Sequence, residues 1–289
     1  MLSVIFRSMR PRQWAKNVLI FAGLIFDRQL TNWPALWTVA QGFIAFSLVS
    51  SGVYLVNDLI DIEQDRAHPK KKKRPIASGE MPERLAILLA LLFVGGGLTL
   101  GFTLSKAFAL ITLFSFLLNL TYSMWLKHVP IVDVITLASF YVVRVAAGVT
   151  LISVERFSPW LYVFTTFGAL FMGVGKRRAE ISIVAEQAGE TRRVLKGYTA
   201  GFLDQLLLAV MTLAILTYSL YTFSAPNLPE NHSMMLTIPF VLYAFFRYLY
   251  LVQVENIGEA PEEILFHDRP LQFTLLLWGI GVMAIFYFS

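Results

Sequence analysis

The sequence predicts an all-α integral membrane protein with nine transmembrane helices in a bundle and a cytoplasmic N-terminus. The first observation is composition: the 289 residues are 56% hydrophobic and only 15% charged. An ordinary soluble domain has about 25% charged residues. Apolar runs of near-bilayer length recur along the chain, and the basic residues between them fall mostly on one side. These observations exclude a soluble globule and predict one polytopic membrane domain over residues 1–289.

Eight apolar segments approach the length of about 20 residues that crosses a bilayer as a helix. They lie near 35–56, 85–104, 107–126, 131–152, 157–175, 205–223, 234–252 and 271–288. A ninth run, Val18 to Phe26, is short, but a helix that begins near Pro11 or Trp14 reaches a spanning length, since proline is tolerated in a first turn. Its basic flank imitates a signal peptide, yet no small-residue cleavage site follows Phe26. We therefore count it as the first helix.

The orientation follows from the distribution of lysine and arginine. With a cytoplasmic N-terminus, 19 of the 24 basic residues lie in segments on the cytoplasmic side, three lie outside and two lie within spans. Because cytoplasmic loops of membrane proteins carry the excess of basic residues, this predicts a multi-pass protein of the cell membrane with its functional face in the cytoplasm. Cytoplasmic cap loops are expected at about 57–84, 176–204 and 253–270.

Several classes of function are disfavoured at this stage. The net charge of +5 does not indicate a nucleic-acid partner, because the basic residues lie in short loops between apolar spans. With no cysteine there is no disulfide framework and no thiolate metal site. The four histidines include no pair at the spacing of a zinc hydrolase. A homo-oligomer is compatible with the sequence, which does not specify the oligomeric state.

The second predicted helix ends in a cluster of carboxylates. Asp58, Asp61 and Asp65 are spaced i, i+3 and i+7, so they share one face if the helix continues. Like charges on one face repel and call for a cation, and oxygen ligands of this kind suit Mg²⁺ shared with substrate phosphates. This favours a phosphate or diphosphate site, although a solvated acidic helix end has the same pattern.

Basic residues follow the aspartates closely. Arg66 and the run Lys70 to Arg74 lead into Pro75, which predicts an exposed loop that could clamp phosphate oxygens. Arg74 is the strongest candidate, because its planar guanidinium suits bidentate phosphate contacts. The lysine run also serves topology and attraction to anionic lipid.

Two further groups of charged residues have open interpretations. Asp133 lies at the mouth of the fifth helix, and Arg144 lies about 16 Å deeper on nearly the same face. Arg144 faces either an aqueous cavity or a structural ion-pair partner. The run Lys176-Arg177-Arg178-Ala179-Glu180 suits an anionic substrate and is equally typical of a positive-inside anchor.

The string N-D-x-x-D-x-x-x-D, followed by R-x-H-P-x-x-x-x-R-P-I-A-S-G, closely resembles the first aspartate-rich motif of the intramembrane (UbiA-type) prenyltransferase superfamily. The predicted nine helices agree with that family. Known prenyltransferases of the superfamily carry a second aspartate-rich motif after helix 6. This chain departs from the pattern there, because it has Lys176 to Glu180 in the corresponding loop.

Other strings resemble the polyprenyl-phosphate phosphoribosyltransferase branch of that superfamily. They are R-P-R-Q-W-A-K-N near the N-terminus, Tyr122-Ser123 with Leu126-Lys127, Asp133-Val134, Arg144 with Gly148, K-R-R-A-E, and Asp268 to Leu271. The resemblance implies transfer of 5-phosphoribose from 5-phosphoribosyl 1-diphosphate to a polyprenyl (decaprenyl-like) phosphate. It also implies Asp58, Asp61 and Asp65 as Mg²⁺ ligands, the first two being catalytic. The substrate-binding candidates are Lys16, Asn17, Asn57, Arg66, Arg74, Tyr122, Lys127, Asp133, Tyr141, Arg144, Lys176, Arg177, Arg178 and Glu180.

Two alternatives stay open. One is a prenyltransferase that moves a prenyl chain from prenyl diphosphate to an aromatic acceptor. The other is a non-enzymatic transporter with Asp133 and Arg144 along its pathway. A transporter site tends to lie near the membrane midplane, whereas the charged residues of this chain are predicted to cluster at one membrane face.

Overall fold

The computed structural model describes residues 1–67, 71–153, 158–187, 193–225, 228–255, 257, 264 and 267–288, and within these ranges the regular structure is helical, with no strand. Short 3₁₀ helices connect several of the α-helices and are named by their ranges. The elements in chain order are α1 (Leu2–Met9), a 3₁₀ helix (Pro11–Phe21), α2 (Ala22–Phe26), α3 (Trp33–Ile60), α4 (Ile62–Ala67), a 3₁₀ turn (Lys71–Lys73), α5 (Glu83–Leu104), α6 (Lys106–Met124), a 3₁₀ turn (Leu126–His128), α7 (Val132–Val149), α8 (Pro159–Gln187), a 3₁₀ helix (Arg193–Gly197), α9 (Ala200–Ser224), a 3₁₀ helix (Ser233–Thr237), α10 (Ile238–Gln253) and α11 (Arg269–Phe288).

Seven helices in the described part of the chain are long and apolar enough to cross a membrane. They are α3, α5, α6, α7, α9, α11, and α10 together with the 3₁₀ helix before it. The predicted first span is instead a 3₁₀ helix, Pro11–Phe21, followed by the five-residue α2. The predicted span at 157–175 forms the first part of α8, which is not among the seven. The total of nine spans therefore stays a prediction.

The chain divides into two compact units, and each contains its own core. The first unit comprises Met1–Met124 and Val143–Ser153. Glycines let its helices approach closely: a Cβ at Gly97 of α5 would lie 2.6 Å from the carbonyl oxygen of Ala45 in α3, and a Cβ at Gly148 would lie 1.9 Å from that of Ile20. Small residues commonly permit such contacts between membrane helices. The prediction of a single domain stays a prediction.

The second unit comprises Trp125–Val142 and Val154–Ser289. Its core contains aromatic and aliphatic side chains from α8, α9, α10 and the segment that ends at Tyr198. Phe171 of α8 packs against Tyr248 of α10, with ring centroids 5.1 Å apart. The same core includes Val194, Leu195 and Tyr198, so α8 packs in one core with the 193–198 segment, which carries a residue of the candidate site.

The predicted cap loops contain more helix than expected. Residues 176–187 continue α8 instead of forming a loop, because this stretch has no glycine or proline and is rich in residues with good helix propensity. The 57–84 segment is helical through Ala67, apart from a junction at Asp61. Parts of all three predicted caps, 68–70, 188–192, 256, 258–263 and 265–266, lie outside the described residues.

The start of α11 is stabilised by Asp268. Its Oδ1 accepts a hydrogen bond of 2.8 Å from the backbone N–H of Leu271, which caps the helix. The Arg247 guanidinium of α10 donates to the same carboxylate, with Nη2 2.7 Å from Oδ2. These hydrogen bonds, led by that from Arg247, hold the pKa of the Asp268 carboxyl below its usual range. Asp268 therefore joins Arg247 of α10 to the beginning of α11.

We expect Asp268→Ala to lower the free energy of unfolding by about 1 kcal/mol through loss of the helix cap, and loss of the pair with Arg247 should add to this effect. Asp268→Asn should lose less, since asparagine also caps helices. A carboxyl with a lowered folded-state pKa stabilises the fold above its unfolded pKa, and this contribution disappears as the pH falls through the folded-state value. Thermal unfolding of the two variants in detergent should therefore show wild type losing its advantage over Asp268→Asn below about pH 4. An advantage that persists in acid would contradict the assignment.

Candidate functional site

The first unit brings two of the three predicted aspartates together. Asp58 lies in the last turn of α3 and Asp65 in α4, and both are buried, with 4% and 1% of their surface exposed. Arg74 joins them: its Nη1 lies 3.0 Å from Asp58 Oδ1 and 2.5 Å from Asp65 Oδ2. The Asp58 and Asp65 carboxylates therefore lie close together, because each contacts the same nitrogen atom of Arg74. The i, i+7 spacing thus produces a shared face, as predicted for this pair.

Arg10 completes this cluster and was not among the predicted site residues. Its Nη2 lies 2.5 and 2.6 Å from the two oxygens of Asp58, and its guanidinium lies 5.0 Å from the ring centroid of Tyr54. Arg10 has a positive φ of 54° between α1 and Pro11, which is uncommon for a residue other than glycine. The only sequence signal for Arg10 is its place at the head of the R-P-R-Q-W-A-K-N string.

One carboxylate oxygen of Asp65 accepts no hydrogen bond in the described structure. Its Oδ1 is buried without a hydrogen-bond partner in the described structure, although Lys71 Nζ lies 3.9 Å away. A buried carboxylate oxygen in this state is costly, because desolvation is not compensated. A divalent cation with oxygen ligands would satisfy it, and Mg²⁺ is typically bound by one or two carboxylates plus substrate phosphates. The donor set at Asp58 and Asp65 therefore fits such an ion.

The other predicted residues at the end of α3 have different surroundings. Asp61 lies at the junction between α3 and α4 and is partly exposed. The side-chain oxygen of Asn57 accepts a hydrogen bond of 2.8 Å from the Ser123 hydroxyl, which ties α3 to the end of α6 beside Tyr122. Arg66 is exposed and pairs with Glu63 at 2.7 Å. Arg66 is therefore a surface residue of α4 and does not contact the Asp58 carboxylate in the described contacts.

Asn17 and Arg144 form a buried polar pair in the first unit. Arg144 Nε donates to Asn17 Oδ1 at 2.8 Å, and Asn17 Nδ2 donates to Ser47 Oγ at 3.0 Å. The Arg144 guanidinium also lies over the Phe46 ring, 5.4 Å from its centroid. These partners are a neutral amide and an aromatic ring, so the described contacts do not decide between the aqueous cavity and the ion pair predicted from the sequence. Lys16, next to Asn17, is partly exposed.

In the second unit, Asp133 and Arg177 form an ion pair that is completely buried. Arg177 Nε lies 2.6 Å from Asp133 Oδ2, and both side chains are 0% exposed. Arg177 Nη1 also donates to Glu180 Oε2 at 2.5 Å, one helical turn along α8. Glu180, the last residue of the K-R-R-A-E run, therefore pairs with Arg177. The charge of Arg177 is thus already compensated within the fold.

Tyr198 also contacts Asp133 and was not predicted. Its hydroxyl donates to Asp133 Oδ1 at 2.6 Å. Burial, followed by this hydrogen bond, raises the pKa of Tyr198 above its usual range, so the phenol stays protonated and remains a donor at physiological pH. No sequence motif singles out Tyr198, because its role depends on the packing of the 193–198 segment against the start of α7.

The remaining predicted site residues of the second unit differ in their solvent exposure. Arg178 Nε lies 2.8 Å from Asp204 Oδ1, and the side chain is 14% exposed. Lys176 and Lys127 are partly exposed, as is Tyr141 on α7. Of the K-R-R run, Lys176 is therefore better placed than Arg177 to bind an anion.

The chain is similar in sequence to a known protein family. Residues 18–276 match the model of the UbiA prenyltransferase family. The decaprenyl-phosphate phosphoribosyltransferase of Mycobacterium tuberculosis (strain CDC 1551 / Oshkosh) is 34% identical over 291 residues, which cover 98% of this chain and 94% of the relative. The protein of the same name from Mycolicibacterium smegmatis is 32% identical over 306 residues, covering 100% of this chain and 94% of that protein.

A solved structure shares the fold. The structure of a UbiA homolog from Archaeoglobus fulgidus bound to DMAPP and Mg²⁺ superposes with a TM-score of 0.74. The match covers 99% of each chain at 19% identity. From the family model and from relatives above 30% identity over nearly the whole length, we conclude that this chain belongs to the UbiA prenyltransferase family.

Proposed function

We propose that this protein transfers 5-phosphoribose from 5-phosphoribosyl 1-diphosphate to a polyprenyl phosphate and releases diphosphate. The observation that carries the proposal is the buried Asp58–Asp65 carboxylate pair with Arg10 and Arg74 bound to it. Carboxylates that can share a cation, beside arginines that can bind phosphate, match the needs of a diphosphate donor. The name shared by the mycobacterial relatives supports the same reaction.

The chemistry needs few protein groups. An oxygen of the acceptor phosphate attacks C1 of the ribose, the bond from C1 to the diphosphate oxygen breaks, and diphosphate leaves with the electron pair. The acceptor is a phosphate monoester, which is largely ionised near neutral pH because its second pKa is about 6. No general base is required, which agrees with a candidate site in which the described cluster contains carboxylates and arginines but no histidine.

We assign Asp58 and Asp65 as ligands of a Mg²⁺ ion, with Asp61 as the third candidate at the junction of α3 and α4. The unsatisfied Oδ1 of Asp65 supports this assignment. When bound, Mg²⁺ would neutralise charge on the leaving diphosphate and orient it. The carboxylates that would hold the ion lie at the end of α3 and in α4, where the chain leaves the predicted membrane span.

Arg10 and Arg74 have a second task in this proposal. In the described structure their guanidinium groups compensate the two carboxylates. With diphosphate and Mg²⁺ bound, Asp58 and Asp65 would hold the ion, and the two arginines could turn from these carboxylates to the diphosphate oxygens. Because arginine binds carboxylate and phosphate with the same planar fork, this exchange preserves charge balance in both states.

The other predicted contacts complete the binding model. Lys16, Lys127 and Lys176, which are partly exposed, are each proposed to contact a substrate phosphate, whereas Asn17 is buried against Arg144 and Ser47. Arg177 instead supports α8 through its ion pairs with Asp133 and Glu180. We further propose nine transmembrane helices with a cytoplasmic N-terminus, which places the site on the cytoplasmic face of the cell membrane, where the soluble sugar donor is available.

A direct assay tests the proposal. Purified protein, Mg²⁺, 5-phosphoribosyl 1-diphosphate labelled in the ribose and a polyprenyl phosphate should yield a labelled lipid, with diphosphate released in equal amount. Matched reactions should contain labelled prenyl diphosphate and an aromatic acceptor. Transfer of the prenyl label without transfer of the ribosyl label would support the prenyltransferase alternative. Absence of both products, with flux of a ligand across proteoliposomes, would support the transporter.

A further inference from the structure

Tyr198 links two elements of the second unit through one buried hydroxyl. The hydroxyl accepts a hydrogen bond from the backbone N–H of Ile131 and donates one to Asp133 Oδ1. Ile131 and Asp133 flank the first residue of α7, whereas Tyr198 follows the Arg193–Gly197 helix. One phenol group therefore fixes both the turn that enters α7 and the carboxylate in its first turn.

The same hydrogen-bond chain continues into α8. The second oxygen of Asp133 accepts from Arg177 Nε at 2.6 Å, and Arg177 Nη1 donates to Glu180 at 2.5 Å. Since Asp133 and Arg177 are both fully buried, each depends on its partners for compensation of charge. Removing one member of such a network leaves the others unsatisfied, which is why buried networks are sensitive to single changes.

The turn at Pro130 and Ile131 is held in a conformation that it would not adopt readily. Ile131 has a φ of 70°, and a β-branched residue is a rare occupant of this region. Gly197 approaches closely, because a Cβ built there would lie 2.6 Å from Pro130 Cγ. The segment Gly197–Tyr198 thus presses on the turn and hydrogen-bonds to it, and such strain is retained when the surroundings require it.

We propose that Tyr198 is a positioning residue for the part of α8 that carries Lys176, the side chain proposed to contact a substrate phosphate. The Tyr198 hydroxyl orients Asp133, and Asp133 fixes the rotation of α8 through Arg177. Adjacent helical residues point about 100° apart, so fixing Arg177 also sets the direction of Lys176. The identity of the ligand at Lys176 rests on the proposed function, whereas the positioning role rests on the contacts alone.

The test is Tyr198→Phe, which keeps the ring and removes the hydroxyl. We expect the KM for at least one of the two phosphate substrates to rise about tenfold, because the loss of a buried hydrogen bond misplaces the binding cation. The kcat should change by less than about twofold, since Tyr198 does not touch the reacting atoms. Hydrogen exchange of the α8 amides over 176–182 should accelerate in the same variant.

Tyr218→Phe is the matched control. Tyr218 is another buried tyrosine of the second unit, whose hydroxyl is bonded to Thr237 at 2.6 Å and to Trp278 at 2.7 Å. Loss of the Tyr218 hydroxyl should lower the thermal stability about as much as loss of the Tyr198 hydroxyl does. It should leave the KM values for both substrates unchanged. An unchanged KM in Tyr198→Phe, an equal rise in Tyr218→Phe, or a loss confined to kcat would each overturn the proposal.

Two additions keep the test decisive. If Tyr198→Phe does not fold, Gly197→Ala should raise the same KM, because its methyl group pushes the segment away from Pro130 without removing any polar group. If the wild-type protein transfers no phosphoribose, the proposed function fails. The affinities of wild type and Tyr198→Phe for inorganic diphosphate and for farnesyl phosphate then still test the positioning role. This role is overturned if, for each of the two probes, the variant binds as tightly as wild type.

Discussion

Asp58→Asn should abolish phosphoribosyl transfer, with a loss of at least about a hundredfold in kcat, typical of removing one group that stabilises transition-state charge. Two effects combine in this variant. The amide is a poor ligand for Mg²⁺, which prefers charged oxygen donors. Arg10 and Arg74 also lose the charge of the carboxylate that both of them contact in the described structure.

Loss of folding and loss of metal binding must be separated. Mn²⁺ can replace Mg²⁺ as a spectroscopic probe: electron paramagnetic resonance should show diphosphate-dependent Mn²⁺ binding in wild type and none in Asp58→Asn. Glu63→Gln is the control, because it removes one carboxylate from neighbouring α4, where Glu63 is 80% exposed and pairs only with Arg66 in the described contacts. Glu63→Gln should keep normal turnover and Mn²⁺ binding. Wild-type turnover in Asp58→Asn would refute its assignment.

Arg74→Ala should raise the KM for 5-phosphoribosyl 1-diphosphate by about tenfold to a hundredfold, the effect of losing hydrogen bonds to a charged group. In the described structure Arg74 bridges Asp58 and Asp65, so its removal leaves two buried carboxylates close together with less compensation. If Arg74 exchanges carboxylates for phosphate as proposed, Mn²⁺ alone should bind more tightly to Arg74→Ala than to wild type. The donor should nevertheless bind more weakly.

The controls for Arg74 are a conservative change and a neighbouring lysine. Arg74→Lys should recover only part of the affinity, because a lysine ammonium cannot bridge two acceptors with the fork geometry of a guanidinium. Lys73→Ala, at an exposed position of the same basic run, should leave the KM near its wild-type value. An equal effect of Lys73→Ala would mean that Arg74 acts only through the general positive charge of the loop.

The aspartate cluster illustrates what a local pattern can predict. Asp58 and Asp65 meet because helical spacing is a short-range property, and the backbone hydrogen bonds from Asp61 to Asn57 and from Asp65 to Asp61 carry the helical path through the junction. Arg74 was predicted to bind phosphate because of its planar guanidinium, and in the structure it contacts both aspartates, which precede it closely along the chain. These contacts depend on few intervening residues, so their geometry is largely encoded locally.

The local sequence pattern did not predict the roles of Arg10, Tyr198 and Arg177. Arg10 lies 48 positions from Asp58 and Tyr198 lies 65 positions from Asp133, so only the packing of distant helices brings them together. Arg177 appeared to be one of three equivalent cations in the K-R-R run. Burial distinguished it, because a completely buried guanidinium requires carboxylate partners whereas its neighbour Lys176 remains partly exposed.

By itself, the sequence determined that this is a helical membrane protein and predicted a carboxylate cluster at the end of one helix, because hydrophobic length and helical periodicity are properties of contiguous residues. The motif strings also indicated the family. Only the tertiary structure decided which cations compensate Asp58 and Asp65 and that Arg177 supports the fold. These features depend on long-range packing and on the cost of burying charge, which the order of residues along the chain does not reveal.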